Sequence, residues 1–86
     1  MRITYDSQKA QLNQAKHGIS LAEAVNLEWD TLYTFEDARH NYGETRMIGY
    51  ALNGNRLFCV IYTDRGNTRR IISLRKANNR EIRQYG

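Results

Sequence analysis

Two strand-like runs, "TRMIGYAL" (residues 45–52) and "RLFCVIYT" (residues 56–63), are separated by only "NGN". Asn53-Gly54 is the pair preferred in a type I′ hairpin turn, in which both central residues need positive φ. No other feature of the chain restricts its folding as much, because two apolar strands joined this tightly must pair antiparallel and seed a sheet. "DRGN" (residues 64–67) reads as a second tight turn, leading into another strand, "TRRIISLRKA" (residues 68–77). "LYTF" (residues 32–35) reads as the strand before the hairpin, across the polar connection "EDARHNYGE" (residues 36–44), and "RITY" (residues 2–5) as the first.

Helices fill the gaps. Asp6 is a plausible N-cap for a helix through Lys16, and Gly18 its stop. "SLAE" (residues 20–23) has capping-box form and opens a second helix to about Glu28, with Leu21, Ala24, Val25 and Leu27 as its apolar face. Asn78, with Glu81 three residues later, opens a short terminal helix. The predicted order is β-α-α-β-β-β-β-α, an α+β fold with a twisted, mainly antiparallel sheet and helices packed on one face. Strict alternation along the last strand puts Arg69, Ile71, Ser73 and Arg75 on one side and Arg70, Ile72, Leu74 and Lys76 on the other.

With 86 residues the chain reads as one domain, residues 1–86, with a small core. Its longest apolar run, "LFCVIY", is far below the ~20 residues that span a bilayer, and nothing at the N-terminus has the pattern of a signal peptide. Cys59, the sole cysteine, lies in that run and reads as an inert core thiol, which fits a reducing cytoplasm. Trp29 reads as a core or interface anchor. The net charge of +4 conceals an asymmetry: residues 1–55 carry five Lys/Arg against seven Asp/Glu, and residues 56–86 eight against two. A basic half on a small domain points to a polyanion or an acidic partner.

The histidines and cysteine have no metal-ligand spacing, and there is no glycine cradle for a nucleotide and no nucleophile elbow; no metal and no cofactor is expected. One reaction that needs few parts is metal-independent RNA cleavage. That reaction needs proton transfer at the 2′-hydroxyl and the 5′-leaving oxygen, and cationic donors on the phosphorane, a task suited to the arginine fork. Arg65, Arg75 and Lys76 are the favoured donors. Glu44, Glu81, His17, His40 and Tyr85 are the proton-transfer candidates, and Tyr42, Tyr62 and Tyr85 are available to hold an unstacked base. The residues favoured as catalytic are Arg65, Arg75, Lys76, Glu44 and Tyr85, with Lys16, His17, His40, Arg46 and Arg70 as substrate-binding residues. Each also has a purely structural reading: Arg75 paired with Glu81, Lys16 and His17 closing a helix C-terminus, Glu44 and Arg46 in charge pairs, Tyr85 docking the last helix.

The segments "YDSQKAQLNQAKHGIS", "AEAV", "DARHNYGETRMIGYAL" and "YTDRGNTRRIISLRKANNREIRQY" together resemble the BrnT family of type II toxins, from about Tyr5 to Tyr85. The resemblance implies a RelE-like fold and a ribonuclease that arrests translation. It also implies neutralisation by a BrnA-type antitoxin, a ribbon-helix-helix DNA-binding protein, in a heterotetramer that meets operator DNA through the antitoxin. Arg65, Arg75 and Tyr85 match places where RelE-like toxins keep catalytic groups. Thr31 departs from the family's frequent proline, a difference expected to affect a turn. The competing reading is a non-catalytic basic module that binds nucleic acid or antitoxin.

Overall fold

In the computed structural model, which describes residues 1–39 and 41–86, the elements follow in the expected order. They are β1 (Arg2–Tyr5), α1 (Ser7–His17), a 3-10 helix (Leu21–Asn26), β2 (Glu28–Glu36), β3 (Met47–Asn53), β4 (Arg56–Arg65), β5 (Thr68–Lys76) and α2 (Asn79–Tyr85). The strands form one sheet in the order β1-β5-β4-β3-β2, antiparallel except for the parallel pair β1–β5. This is the α+β, mainly antiparallel architecture expected. No helix among the described residues is long and apolar enough to cross a membrane.

The hairpin forms, with a different turn. Asn53 stays in the ladder opposite Arg56, so the two loop residues are Gly54 and Asn55. Gly54 has φ 65°, and among the described residues no non-glycine residue has positive φ. Glycine alone at the first central position is the type II′ arrangement, which replaces the expected type I′. The next turn repeats it: Arg65 pairs with Thr68 around Gly66 (φ 59°) and Asn67.

The strand phase differs from strict alternation. Ser73 pairs with Ile61 but Ile71 pairs with Tyr62, so Ile72 is an extra residue, a β-bulge. The bulge turns both Ile71 and Leu74, three apart, into the same core. Arg69 and Ile71 therefore share one face with Leu74 and Lys76, whereas Arg75 emerges on the opposite face with Cys59 and Tyr50. The expected grouping of Arg69, Ile71, Ser73 and Arg75 is thereby corrected.

Both faces are covered. On one, which we call the helical face, α1 and the 3-10 helix close a core of Leu21, Ala24, Leu27, Ala51, Phe58, Val60, Tyr62, Ile71 and Leu74. The other, aromatic face has a smaller cluster of Tyr50, Leu57 and Cys59, with Ile48, Leu52, Ala77 and Tyr85 of α2 against it. The helices are thus not all on one face. Tyr85 and Glu81 bind α2 to the aromatic side through Tyr50 and Arg75.

Local signals explain most element ends. The Asp6 carboxylate accepts from the Gln8 and Lys9 amides, and Gly18 closes α1. Asn78 and Glu81 form the expected reciprocal capping box on α2. The box at Ser20 is incomplete: Ser20 Oγ accepts from the Ala22 amide, but the Glu23 carboxylate turns to Asn26. The segment winds as a 3-10 helix because three residues per turn stack Leu21 and Ala24, both fully buried; Val25 rotates outward and is 61% exposed. β2 begins at Glu28, earlier than expected, and takes in an irregularity between Glu28 and Tyr33. Thr31 serves this irregular strand rather than a turn, donating to Glu28 O and accepting from the Leu52 amide.

One side chain joins the helical layer to the sheet edge. β1 pairs with β5 only as far as Ile71, leaving the later edge of β5 open. Asn13 of α1 occupies it, donating to Leu74 O (2.8 Å) and Ile19 O (2.8 Å) and accepting from the Leu74 amide (3.3 Å).

Candidate active site

The sequence-predicted residues fall into two groups at opposite ends of the sheet. At the end of β5, Arg75 lies on the aromatic face. Its fork meets the Glu81 carboxylate bidentately, at 2.7 and 2.9 Å, and a further N–H donates to Lys76 O. Glu81 is buried, and it also accepts from Tyr50 Oη at 2.6 Å and from the Asn78 amide at 2.8 Å. Three of the five guanidinium donors of Arg75 are so committed. Two N–H groups remain, among the described residues, on a side chain 35% exposed. A cation held rigidly with donors to spare is equipped to bind a phosphoryl oxygen.

The electrostatics follow from these contacts. Arg75 holds the Glu81 carboxyl down to about 2, so it is ionised and acts as an anchor rather than a base. Burial pushes the Tyr50 phenol up, as it does the Cys59 thiol, which stays in the core as expected. His17, in the last turn of α1, is half-buried and lies within electrostatic range of Arg75. Partial burial, then the charges of Lys16 and Arg75, keep its pKa below the ordinary imidazole value, leaving it neutral at pH 7. Lys16 is exposed beside it. Tyr85 stacks on Tyr50 with centroids 4.2 Å apart. Lys76 leaves on the helical face, paired opposite Phe58, and borders a cavity of about 490 Å³ with Leu52, Arg56, Leu57 and Ile82.

The second group lies at the β4–β5 turn. Arg65 donates to Glu44 Oε1 at 2.7 Å and remains 58% exposed. Arg70 approaches Asp6 at 3.9 Å, and the Arg46 guanidinium lies 4.0 Å from the centre of the Tyr42 ring. Arg46 Nε is buried without a hydrogen-bond partner among the described residues. Cys59, opposite Arg75, is six residues from Arg65 along β4, about 20 Å at strand rise. One scissile phosphate cannot reach both arginines. His40 lies outside the described residues.

The expected base-holding residues are mostly occupied. Tyr62 is buried, forms a 2.8 Å hydrogen bond with Thr34, and sits edge-on to Trp29, which packs against the core as anticipated. Tyr42 donates to Asp37, whose carboxylate is held far below its usual range chiefly by the Arg39 fork. Sequence reasoning missed Tyr50 and Asn13, which resembled ordinary strand and helix residues and whose partners lie 31 and 61 positions away. Among the described residues no three His, Cys, Asp or Glu side chains are grouped to hold a metal ion.

Glu81 yields a pH prediction. Its folded pKa of about 2 is below its ordinary 4.5. Between these values the unfolded chain binds a proton the folded chain does not, so stability falls as pH falls from 4.5 towards 2 and is fully present above. Urea titrations should find Glu81→Gln less stable than wild type by roughly 3 kcal/mol at neutral pH, with the gap closing over that acid window. A gap independent of pH would mean that the carboxylate's charge is not the stabilising element.

The fold and site describe a small basic α+β protein that presents an anchored arginine on a sheet face, a group suited to an enzyme acting on phosphodiesters. Residues 5–81 match the family described as ribonuclease toxin, BrnT, of type II toxin–antitoxin system, and the chain belongs to that family. Its structure is similar to the crystal structure of the Brucella abortus ribonuclease toxin BrnT. The TM-score is 0.72 at 27% identity, covering 92% of this chain and 99% of that one. No curated protein matches the sequence.

Proposed function

We propose that this toxin cleaves RNA without a metal ion, in the manner of RelE-like ribonucleases, at the end of β5. The observation that carries the reading is the Arg75 fork, fixed by a buried carboxylate yet holding two uncommitted donors. Arg75 stabilises the charge that grows on the phosphorane, and being pre-positioned it needs no reorganisation as the reaction proceeds. Neutral His17 takes the 2′-hydroxyl proton, the 2′-oxygen displaces the 5′-oxygen from phosphorus, and Tyr85, bordering the same site, gives the leaving oxygen its proton and regains one from water. Arg65 and Glu44, about 20 Å along the sheet, and Arg46 and Arg70, about 13 Å along it, hold the RNA backbone away from the cut, and Lys16 and Lys76 extend the positive field. Acting in the cytoplasm, the toxin is covered by a BrnA-type ribbon-helix-helix antitoxin in a heterotetramer, attracted by the basic C-terminal third; operator DNA is met through that antitoxin.

The test is cleavage of bulk RNA, free and ribosome-bound, by the purified chain in EDTA. Expected are products with 2′,3′-cyclic phosphate and 5′-hydroxyl ends, and an acid limb in kcat/KM below pH 6.5 that disappears in His17→Gln. Cleavage abolished by EDTA and restored by a divalent cation overturns the metal-free reading. A second reading has one observation in its favour: Arg65, Arg69, Arg70 and Arg75 are all ion-paired, as on a docking surface. Salt-sensitive RNA binding with no cleavage of either substrate would establish that alternative.

A further inference from the structure

β2 is an edge strand, and it carries two large aromatic side chains that the core does not use. Tyr33 is 57% exposed and Phe35 38%. By register both lie on the aromatic face, Tyr33 opposite Tyr50 and Phe35 opposite Ile48. Their rings meet each other at 6.2 Å and meet Tyr85 at 5.3 and 6.2 Å, and Tyr85 in turn stacks on Tyr50. Tyr50 bonds Glu81, and Glu81 holds Arg75. The exposed rings are thus braced from behind by the same side chains that orient the cation.

We propose that Tyr33 and Phe35 form a stacking platform for unpaired bases of single-stranded RNA, next to the phosphate held by Arg75. The inference rests on the RNA-cleaving reading above and adds the form of the substrate. Every base has a π-face, so such a platform is tolerant of sequence, and aromatic side chains on a sheet surface are an established way of stacking bases. Bases inside an A-form duplex are not available to it. Arg65, Arg70 and Arg75 lie on the same face by register and match the RNA backbone in charge. An apolar protein segment would not draw on that row of cations.

The test uses the full chain and a short, fluorescently labelled 2′-O-methyl RNA, which cannot undergo attack by its own 2′-oxygen. Threonine keeps strand propensity, so the double variant Tyr33→Thr/Phe35→Thr should fold as wild type does, checked by thermal melting. Expected is binding weaker by ~10-fold or more at every salt concentration. The slope of log affinity against log salt should not change, because no phosphate contact is lost. Arg70→Ala, by contrast, should flatten that slope by about 0.7. Tyr33→Trp should retain the wild-type affinity, since it restores a ring.

Affinity of the double variant within about twofold of wild type, or an equal loss for duplex RNA, overturns the platform. So does unchanged RNA affinity with lost binding of the co-expressed antitoxin, which assigns the patch to the protein partner. If wild type cleaves RNA while the double variant keeps its KM, the platform fails and the ribonuclease reading stands. If wild type neither binds nor cleaves RNA, both fail.

Discussion

Arg75→Ala is expected to lower RNA cleavage by ~100- to 1,000-fold, the range found when a pre-positioned transition-state donor is removed. The same substitution also weakens the fold. Glu81 would keep its bonds from Tyr50 and the Asn78 amide but lose its cation, and an uncompensated buried carboxylate is costly. Arg75 is partly exposed, so water offsets some of this, and about 2 kcal/mol of destabilisation is expected. The double variant Arg75→Ala/Glu81→Gln separates the two effects by removing both charges. It should recover much of the stability and none of the activity. Arg75→Lys should recover little activity, because an ammonium cannot donate to the carboxylate and to a phosphate in the geometry of the fork. Full activity in a folded Arg75→Ala protein would remove Arg75 from the mechanism.

Asn13→Ala should cost as much stability as Glu81→Gln, about 3 kcal/mol in urea unfolding. The side chain makes three hydrogen bonds to backbone groups of Leu74 and Ile19, and is itself buried. Alanine leaves the Leu74 amide and carbonyl unpaired at a covered sheet edge, where each unmet group carries its desolvation cost. For a domain this size such a loss is a large part of the total stability. Asn13→Asp should be nearly as damaging, because a carboxylate can accept from the Leu74 amide but donate to neither carbonyl. A loss below about 1 kcal/mol would mean that water takes over the exposed edge groups.

The residues that were legible from sequence have partners close by along the chain. Asp6, Gly18 and the Asn78–Glu81 box bound their helices as expected, since a cap is decided within three or four residues. The turns near Gly54 and Gly66 were located correctly, though the type I′ assignment gave way to type II′ once Asn53 remained in the ladder. The partnership of Arg75 with Glu81, six residues apart, was anticipated as its structural reading and is present. Tyr50, Asn13, Tyr33 and Phe35 gave no comparable signal. Tyrosine and phenylalanine are ordinary strand residues, and only the sheet order makes β2 an edge with exposed rings.

By itself, then, the sequence determined the order of the elements, the α+β class, the uneven charge and, through combined motifs, membership of the ribonuclease toxin family. Each of these depends on local propensity or on composition, which act without knowledge of distant neighbours. Tertiary structure alone decided that Ile72 bulges, because a bulge is favoured by the packing of Ile71 and Leu74 into one core and not by any alternation in the chain. That single extra residue sends Arg75 to the aromatic face and Arg69 to the helical one. It thereby separates the cation anchored beside Tyr50 and Tyr85 from the arginine stacked over Trp29 and Tyr62. The side chain period in a strand is two, so one inserted residue reverses every assignment on one side of it.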